Sequence, residues 1–240
     1  MQQSRIFKFV ILFALSLLFV FLEGMKSYLD HKNYYLIGIA GGSASGKTYF
    51  LQSIRKVFQH NEVCIISQDD YYRPVEEQTR DENGEINFDL PESINTEAFI
   101  QDVTKLAGGN TISKTEYTFN QPGIEGKNIE FYPAPVIVVE GLFIFHIASI
   151  KKMLDLKIFM DSRDDIKLNR RLDRDVRERG ISRETILYQW HNHVYPSYKQ
   201  YLLPYKDEAD IIVTNNYAFD KGLELIIDHI HSILNWRLKA

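Results

Sequence analysis

The sequence predicts an α/β fold, a parallel sheet covered by helices on both faces. Three observations predict it. Short, wholly apolar runs alternate with stretches whose apolar residues recur at helical spacing. The apolar runs lack the polar alternation of a half-exposed strand, so they read as strands buried on both sides. The first run leads straight into glycines and then a helix, the start of a strand–loop–helix unit.

Each element has its own justification. Residues 34–40 (YYLIGIA) form the first buried strand. Residues 47–59 follow as a helix carrying Phe50, Leu51, Ile54, Val57 and Phe58 at helical spacing. Residues 63–67 (VCIIS) are the second strand, with Cys64 as a small core residue. Residues 70–92 are polar and contain Pro74, Gly84 and Pro91, which predicts an exposed loop. Asn95 caps a helix over 96–107, and Gly108 with Gly109 stops it. Residues 111–119 and 129–132 are strand-like and flank a turn with Pro122, Gly123 and Gly126, which predicts a small β-hairpin insertion. Residues 136–139, 156–160 and 211–214 are the third, fourth and fifth strands. Helices fill the gaps over roughly 164–179, 183–193 and 219–236, with Asp161 as N-cap of the first of them. The Tyr-rich stretch 195–205 has two readings, a stack for a base or packing, and packing is favoured. His191 with His193, two apart on a helix, and His229 with His231 read as surface or core histidines.

Composition excludes several classes. The 240 residues suit one domain, or one domain with a small appendage. Lys plus Arg is 28 and Asp plus Glu is 32, a net charge of −4, which argues against a protein that coats nucleic acid. Hydrophobic residues at 45% and charged residues at 25% exclude a disordered chain. One cysteine excludes an internal disulfide and a multi-cysteine zinc site. The apolar content is uneven: residues 9–22 read FVILFALSLLFVFL, with Ser16 alone polar. A 14-residue helix rises about 21 Å, short of the roughly 30 Å hydrocarbon core; extension back to Ile6 reaches the lower limit. Residues 1–24 therefore form a hydrophobic N-terminal segment with two readings. It is upstream sequence ahead of a start at Met25, or residues 6–22 are a short anchor. Residues 25–240 form the main domain.

Residues 41–48, Gly41-Gly42-Ser43-Ala44-Ser45-Gly46-Lys47-Thr48, satisfy G-x-x-x-x-G-K-[ST] between a strand and a helix. Glycines let backbone N–H groups turn inward onto phosphate oxygens, and the helix N-terminus adds its positive end. Lys47 reaches the β- and γ-phosphates, and the Thr48 hydroxyl binds Mg²⁺. This predicts a nucleoside triphosphate site. A cleaved export signal does not fit intracellular ATP chemistry. The expectation is a cytoplasmic protein, or a cytoplasmic domain anchored to the inner membrane by residues 6–22.

The acids narrow the chemistry. Glu140 ends the third strand (VIVVEG), on the sheet edge that carries the phosphate loop, and suits the Mg²⁺-holding acid. Asp69 follows the second strand (SQDD) and has two readings, a general base for a hydroxyl acceptor or a turn cap. Residues 163–179 (RDDIKLNRRLDRDVRER) hold seven basic and five acidic residues. Arg171, Arg174 and Arg179 are expected in a lid over the transferring phosphate, with the remaining charges in i, i+4 ion pairs. Gly180 supplies a hinge.

Together these residues resemble the uridine kinase (uridine–cytidine kinase) family of the phosphoribulokinase/uridine kinase superfamily of P-loop kinases. The resemblance spans roughly residues 34–235. It rests on GGSASGKT at 41–48, SQDDYY at 67–72, NFDLP at 87–91, VVEGLF at 138–143, RRLDRDVRERG at 170–180 and LPYKDEADIIV at 203–213. It implies a P-loop kinase that phosphorylates the 5′-hydroxyl of uridine or cytidine, with ATP, or GTP, as donor and Mg²⁺ bound at Thr48 and Glu140. It makes Asp69 the catalytic base, with Lys47, Arg171 and Arg174 in catalysis. It places Asp89 and Arg171 at ribose hydroxyls and Arg174 and Arg179 at phosphate. Gln189 matches a nucleoside-side glutamine, and Tyr72 and Tyr117 match site aromatics. A homo-oligomer is implied, with no nucleic acid as partner and membrane contact only through residues 1–24. The chain departs from the pattern where base-contacting histidines are expected: Leu90 and Pro122 stand there, with Asn120 or Gln121 as substitute amides. Two other readings remain. One is a kinase of the same superfamily acting on a sugar phosphate or a pantothenate-like alcohol. The other is a membrane-associated regulatory P-loop NTPase.

Overall fold

The computed structural model describes residues 32–118 and 126–237. Five strands, β1 (Tyr35–Gly41), β2 (Val63–Ser67), β5 (Val136–Gly141), β6 (Leu156–Asp161) and β7 (Ile211–Thr214), form one sheet in the order β2-β5-β1-β6-β7. Every pairing in it is parallel. A separate antiparallel hairpin joins β3 (Ile112–Thr115) to β4 (Asn128–Phe131). β3 is shorter than expected, β4 is shifted by one residue at the same length, and residues 119–125 lie outside the described residues. The helices are α1 (Lys47–Val57), α2 (Thr96–Ala107), α3 (Ala148–Met153), α4 (Asp164–Arg179), α5 (Arg183–Gln189) and α6 (Asp220–Arg237).

The period-two geometry of β1 divides the core into two layers. Leu36 and Ala40 pack to one side with Phe99, Val103 and Leu106 of α2. Tyr35, Ile37 and Ile39 pack to the other with Phe50 and Ile54 of α1 and Ile226 and Ile230 of α6. Each fully buried Leu, Ile, Val or Phe among them contributes about 1.5–3 kcal/mol. The sheet is thus covered on both faces, as the unbroken apolar strands require. Edge strand β7 is the exception: Val213 is buried, while Ile211 and Ile212 are exposed.

Three local expectations are corrected. The 70–92 segment is not a plain exposed loop. Tyr71 is 1% exposed, packs on Phe99 and donates from its hydroxyl to Asp102, and Gln78 is buried with its amide on the Arg73 and Ser93 carbonyls. The helix expected to end at 193 continues. After α5 the chain passes through π-helical turns at Trp190–Val194 and Tyr198–Leu202, then a 3₁₀ stretch at Leu203–Glu208. Pro196 has no N–H, and ahead of it Tyr195 donates to the Trp190 carbonyl, five residues back. Burial of Trp190, Val194, Tyr198 and Leu202 holds the widened helix down. Asp161 does not cap α4. Arg163 occupies the N-cap without a side-chain bond, and Asp161 instead pairs with Lys206 at 2.7 Å.

Among the described residues no helix is long and apolar enough to cross a membrane. The hydrophobic run at 9–22 lies outside them.

Candidate active site

β1 lies between β5 and β6, so the connections leaving the C-terminal strand ends diverge there, and a crevice opens at that switch point. One cleft of about 870 Å³ occupies it.

The 41–48 loop has the backbone its sequence demands. Gly46 sits at φ 104, and a Cβ there would fall 2.1 Å from the Asn215 amide nitrogen, which donates to the Ser45 carbonyl at 2.9 Å. Ala44 also has positive φ, 60, a strained state for a residue with a Cβ and one that concentrates at ligand clamps. Lys47 and Thr48 open α1, where the first amides have no carbonyl behind them. The Lys47 ammonium is folded back onto the loop, 2.9 Å from the Gly41 carbonyl and 3.3 Å from that of Gly42. Burial lowers its pKa, against the pull of Glu140 and Asp69. Ser45 is 1% exposed, and its hydroxyl has no partner among the described residues. A helix N-terminus, an ammonium held by loop carbonyls that phosphate oxygens can replace, and an exposed Thr48 fit a nucleoside triphosphate with its metal ion.

The acids gather opposite. Glu140, buried within β5, accepts from the Ser67 hydroxyl at 2.5 Å. Burial first, then the nearby Asp69, push its carboxyl up to about 7, with Lys47 pulling the other way. Gly141 follows because Gln68 lies against it: a Cβ would sit 2.4 Å from the Gln68 side chain. Asp69 stands in a 3₁₀ turn, Gln68–Tyr71, whose cap is Ser67: the Ser67 hydroxyl accepts from the Asp69 amide. The capping alternative for Asp69 therefore fails, and its carboxyl faces the cleft. Burial raises its pKa, and Lys47, Arg179 and Arg174 counter that.

The arginine helix α4 forms one wall. Arg171 donates to the Ser43 hydroxyl at 3.0 Å and to the Gln189 side-chain oxygen at 3.2 Å, so it ties the phosphate loop to α5. Arg171, Arg174 and Arg179 converge on Asp175, at 3.3, 2.8 and 3.4 Å. Asp175 is 0% exposed. The charge run on α4 showed ion pairing in general; convergence of three arginines on one buried carboxylate depends on side-chain packing and was not visible in spacing.

At the far end Tyr72, Ile86, Phe88, Asp89, Gln189 and His193 line the cleft. Tyr72 meets Phe88 edge-on at 6.0 Å and Tyr117 at 5.4 Å. Burial raises the Asp89 pKa, while Arg171 and His193 favour its ionised form.

The cleft thus brings together Ser43, Ala44, Gly46, Lys47, Thr48, Asp69, Tyr72, Asp89, Glu140, Arg171, Arg174, Arg179 and Gln189. Gly41, Gly42 and Ser45 shape the loop behind it, and Tyr117 backs Tyr72 rather than lining the opening. Leu90 precedes the short 3₁₀ turn Pro91–Ser93; Asn120, Gln121 and Pro122 lie outside the described residues. Sequence reasoning missed His193, which it placed among surface or core histidines. It also missed Arg170, which donates to Ser162 and Asn215 at the loop end of the cleft.

Residues 36–218 match the phosphoribulokinase/uridine kinase family. The chain is 33% identical over 204 residues to uridine-cytidine kinase B of Dictyostelium discoideum, covering 85% of this chain and 84% of that one. It is 33% identical over 200 residues to a uridine kinase of Staphylococcus epidermidis, covering 83% and 97%. Among solved structures, phosphoribulokinase from Rhodobacter spheroides superposes with a TM-score of 0.55 at 16% identity, covering 76% of this chain and 70% of that one. A possible uridine kinase from Bacillus stearothermophilus superposes with a TM-score of 0.51 at 17% identity, covering 75% and 88%. These structural likenesses concern the fold: a parallel sheet flanked by helices.

Proposed function

The chain belongs to the phosphoribulokinase/uridine kinase family, and from that premise we propose that it transfers the γ-phosphoryl group of ATP to the 5′-hydroxyl of uridine or cytidine. The observation that carries this reading is the position of Asp69. Its half-buried carboxyl lines the cleft and interacts electrostatically with Lys47 and Glu140 of the phosphate loop and strand end, and with Asp89 and Tyr72 of the acceptor end.

The triphosphate occupies the 41–48 loop, and Lys47 exchanges the Gly41 and Gly42 carbonyls for phosphate oxygens. Thr48 and Glu140 would hold Mg²⁺, which neutralises phosphate charge when bound. Among the described residues no three His, Cys, Asp or Glu gather into a metal cage. Mg²⁺ uses one or two carboxylates together with substrate phosphates, and Glu140 with the bound triphosphate would supply that set. Asp89, with Gln189 and Arg171, orients the ribose, and Tyr72 supports the sugar end. Asp69 accepts the 5′-hydroxyl proton as the oxygen attacks phosphorus. Arg171, Arg174 and Arg179 stabilise the charge spreading over the transferring group, a contribution of about 10³–10⁵ in rate at comparable phosphoryl-transfer sites.

The test is a steady-state screen of the full chain with ATP and then GTP. Acceptors are uridine, cytidine, purine nucleosides, a sugar phosphate and a pantothenate-like alcohol. Turnover of uridine or cytidine with kcat/KM well above the other acceptors is expected. Phosphorylation of the alcohol or sugar phosphate without nucleoside turnover overturns the assignment.

A further inference from the structure

Segment 79–87 folds back on itself next to the acceptor end of the cleft. The Asn87 amide donates to the Thr79 carbonyl, the Asp81 amide donates to that of Glu85, and Arg80 bridges to Ile86. At its centre is Asp81, whose carboxylate is saturated. One oxygen accepts from the Asn83 and Glu85 amides, both at 2.9 Å. The other accepts from the Tyr188 hydroxyl at 2.6 Å and faces His193 Nε2 at 2.7 Å. Asn83 donates back to the Tyr188 oxygen at 2.7 Å, and the Tyr188 and His193 rings meet edge-on. These donors, the Tyr188 hydroxyl first, hold the Asp81 carboxyl well below the usual carboxylate range.

An ionised carboxylate only accepts, so His193 Nε2 carries the proton, and the imidazole is fixed in orientation and tautomer. The His193 side chain is 2% exposed and lines the same cleft as Asp89. Two residues beyond the turn, the Asp89 amide donates to the Asn87 side chain. The cluster therefore joins the backbone that carries Asp89 to the helix that carries Gln189.

We propose that His193 is an acceptor-positioning residue, which through Asp81 latches the 79–89 segment onto the helix 183–194 and so sets the affinity for the acceptor. This rests on the nucleoside-kinase reading for the identity of that acceptor, but not for the latch itself. His193 takes no part in proton or phosphoryl transfer, so its loss separates KM from kcat.

The experiment uses the full chain with uridine and ATP. His193→Ala is expected to raise the uridine KM roughly ten-fold or more, the loss that accompanies a hydrogen bond to a charged group. The kcat at saturating uridine and the KM for ATP stay within about two-fold. His193→Gln places an amide nitrogen where Nε2 lies and is expected to restore most of the affinity; His193→Asn, too short to reach Asp81, is expected to behave as the alanine variant. Asp81→Asn raises the same KM, and the double variant is no worse than either single one, because both remove one interaction. An unchanged uridine KM in His193→Ala, or a glutamine variant no better than alanine, overturns the proposal. Hydrogen exchange at the Asn83 and Glu85 amides needs no acceptor. Faster exchange in His193→Ala and restored protection in His193→Gln support the latch, and unchanged exchange in His193→Ala overturns it. A wild-type protein that phosphorylates no nucleoside overturns the substrate assignment alone.

Discussion

Glu140 is buried and Lys47 and Asp69 beside it are half-buried, so each sets the ionisation of the others. Desolvation is the largest influence on all three, and it opposes charge on each. For Glu140 the folded pKa, about 7, lies above the ordinary glutamate value of 4.5. A raised folded pKa gives stability that is fully present below the unfolded value and is lost as pH rises through the folded one. Glu140→Gln should therefore raise Tm relative to the parent by a growing margin between pH 5 and pH 8, while lowering activity; scanning calorimetry across that range checks it, and a constant margin would refute it. Asp69 must be ionised to act as a base, and its pKa is raised, so activity falls on the acid side at a pH above the ordinary aspartate range. Asp69→Asn should lower kcat by about 10²–10⁴ and abolish that limb, with ATP affinity retained. At this scale the legible residues were those with motif or strand-end positions: Lys47, Thr48, Asp69 and Glu140. Asp81 and His193 had no such address, because they are 112 residues apart in sequence and only the fold sets them 2.7 Å apart.

Helix α4 shows how one element serves both packing and chemistry. Its acidic first turn, Asp164 and Asp165, and basic last turn, Arg177 and Arg179, complement the helix dipole. Lys167 is buried against Asp164 at 2.8 Å, with its ammonium 3.7 Å from the centre of the Tyr198 ring. Gly180 ends the helix at φ 65, the left-handed cap that a residue without a Cβ adopts at no cost. Asp175 gathers the cleft arginines before any phosphate arrives, so part of their ordering entropy is lost on folding rather than on binding. Removing one partner of a buried ionic cluster leaves uncompensated charge. Asp175→Asn should cost about 3 kcal/mol in urea unfolding and lower kcat/KM for ATP by roughly ten-fold or more. Wild-type kinetics in a destabilised Asp175→Asn protein would assign that residue to packing alone. The sequence pattern predicted α4 in its observed bounds, since helical patterning is a local signal; Gly180, expected as a hinge, is its left-handed cap. The widened helix after Gln189 was not legible, because π turns arise where Pro196 withholds an N–H and buried Trp190 and Tyr198 pin the flanks.

At the scale of the molecule, two apolar layers clamp one sheet, and the cleft opens where its strand connections diverge. The layer under α1 and α6 supports the phosphate loop from behind, through Phe50 and Ile54 on the helix that begins at Lys47. Ile230, at 0% exposure in that layer, tests the coupling: Ile230→Ala should cost about 2–5 kcal/mol in chemical unfolding, with ATP KM changed little below the transition. A large rise in ATP KM without loss of stability would contradict that arrangement. The sequence by itself determined the fold class, the phosphate loop and the strand-end acids. Each depends on a local rule: apolar period, glycine geometry, or a charged residue directly after a buried strand. Only the tertiary structure decided which charges face one another. The capping role passed to Ser67 and left Asp69 free for the cleft, three arginines met on Asp175, and His193 turned from a bland helix residue into the partner of Asp81. The physical reason is that burial and Coulomb interactions depend on distance in space, and distance in space between remote residues is a property of packing rather than of sequence spacing.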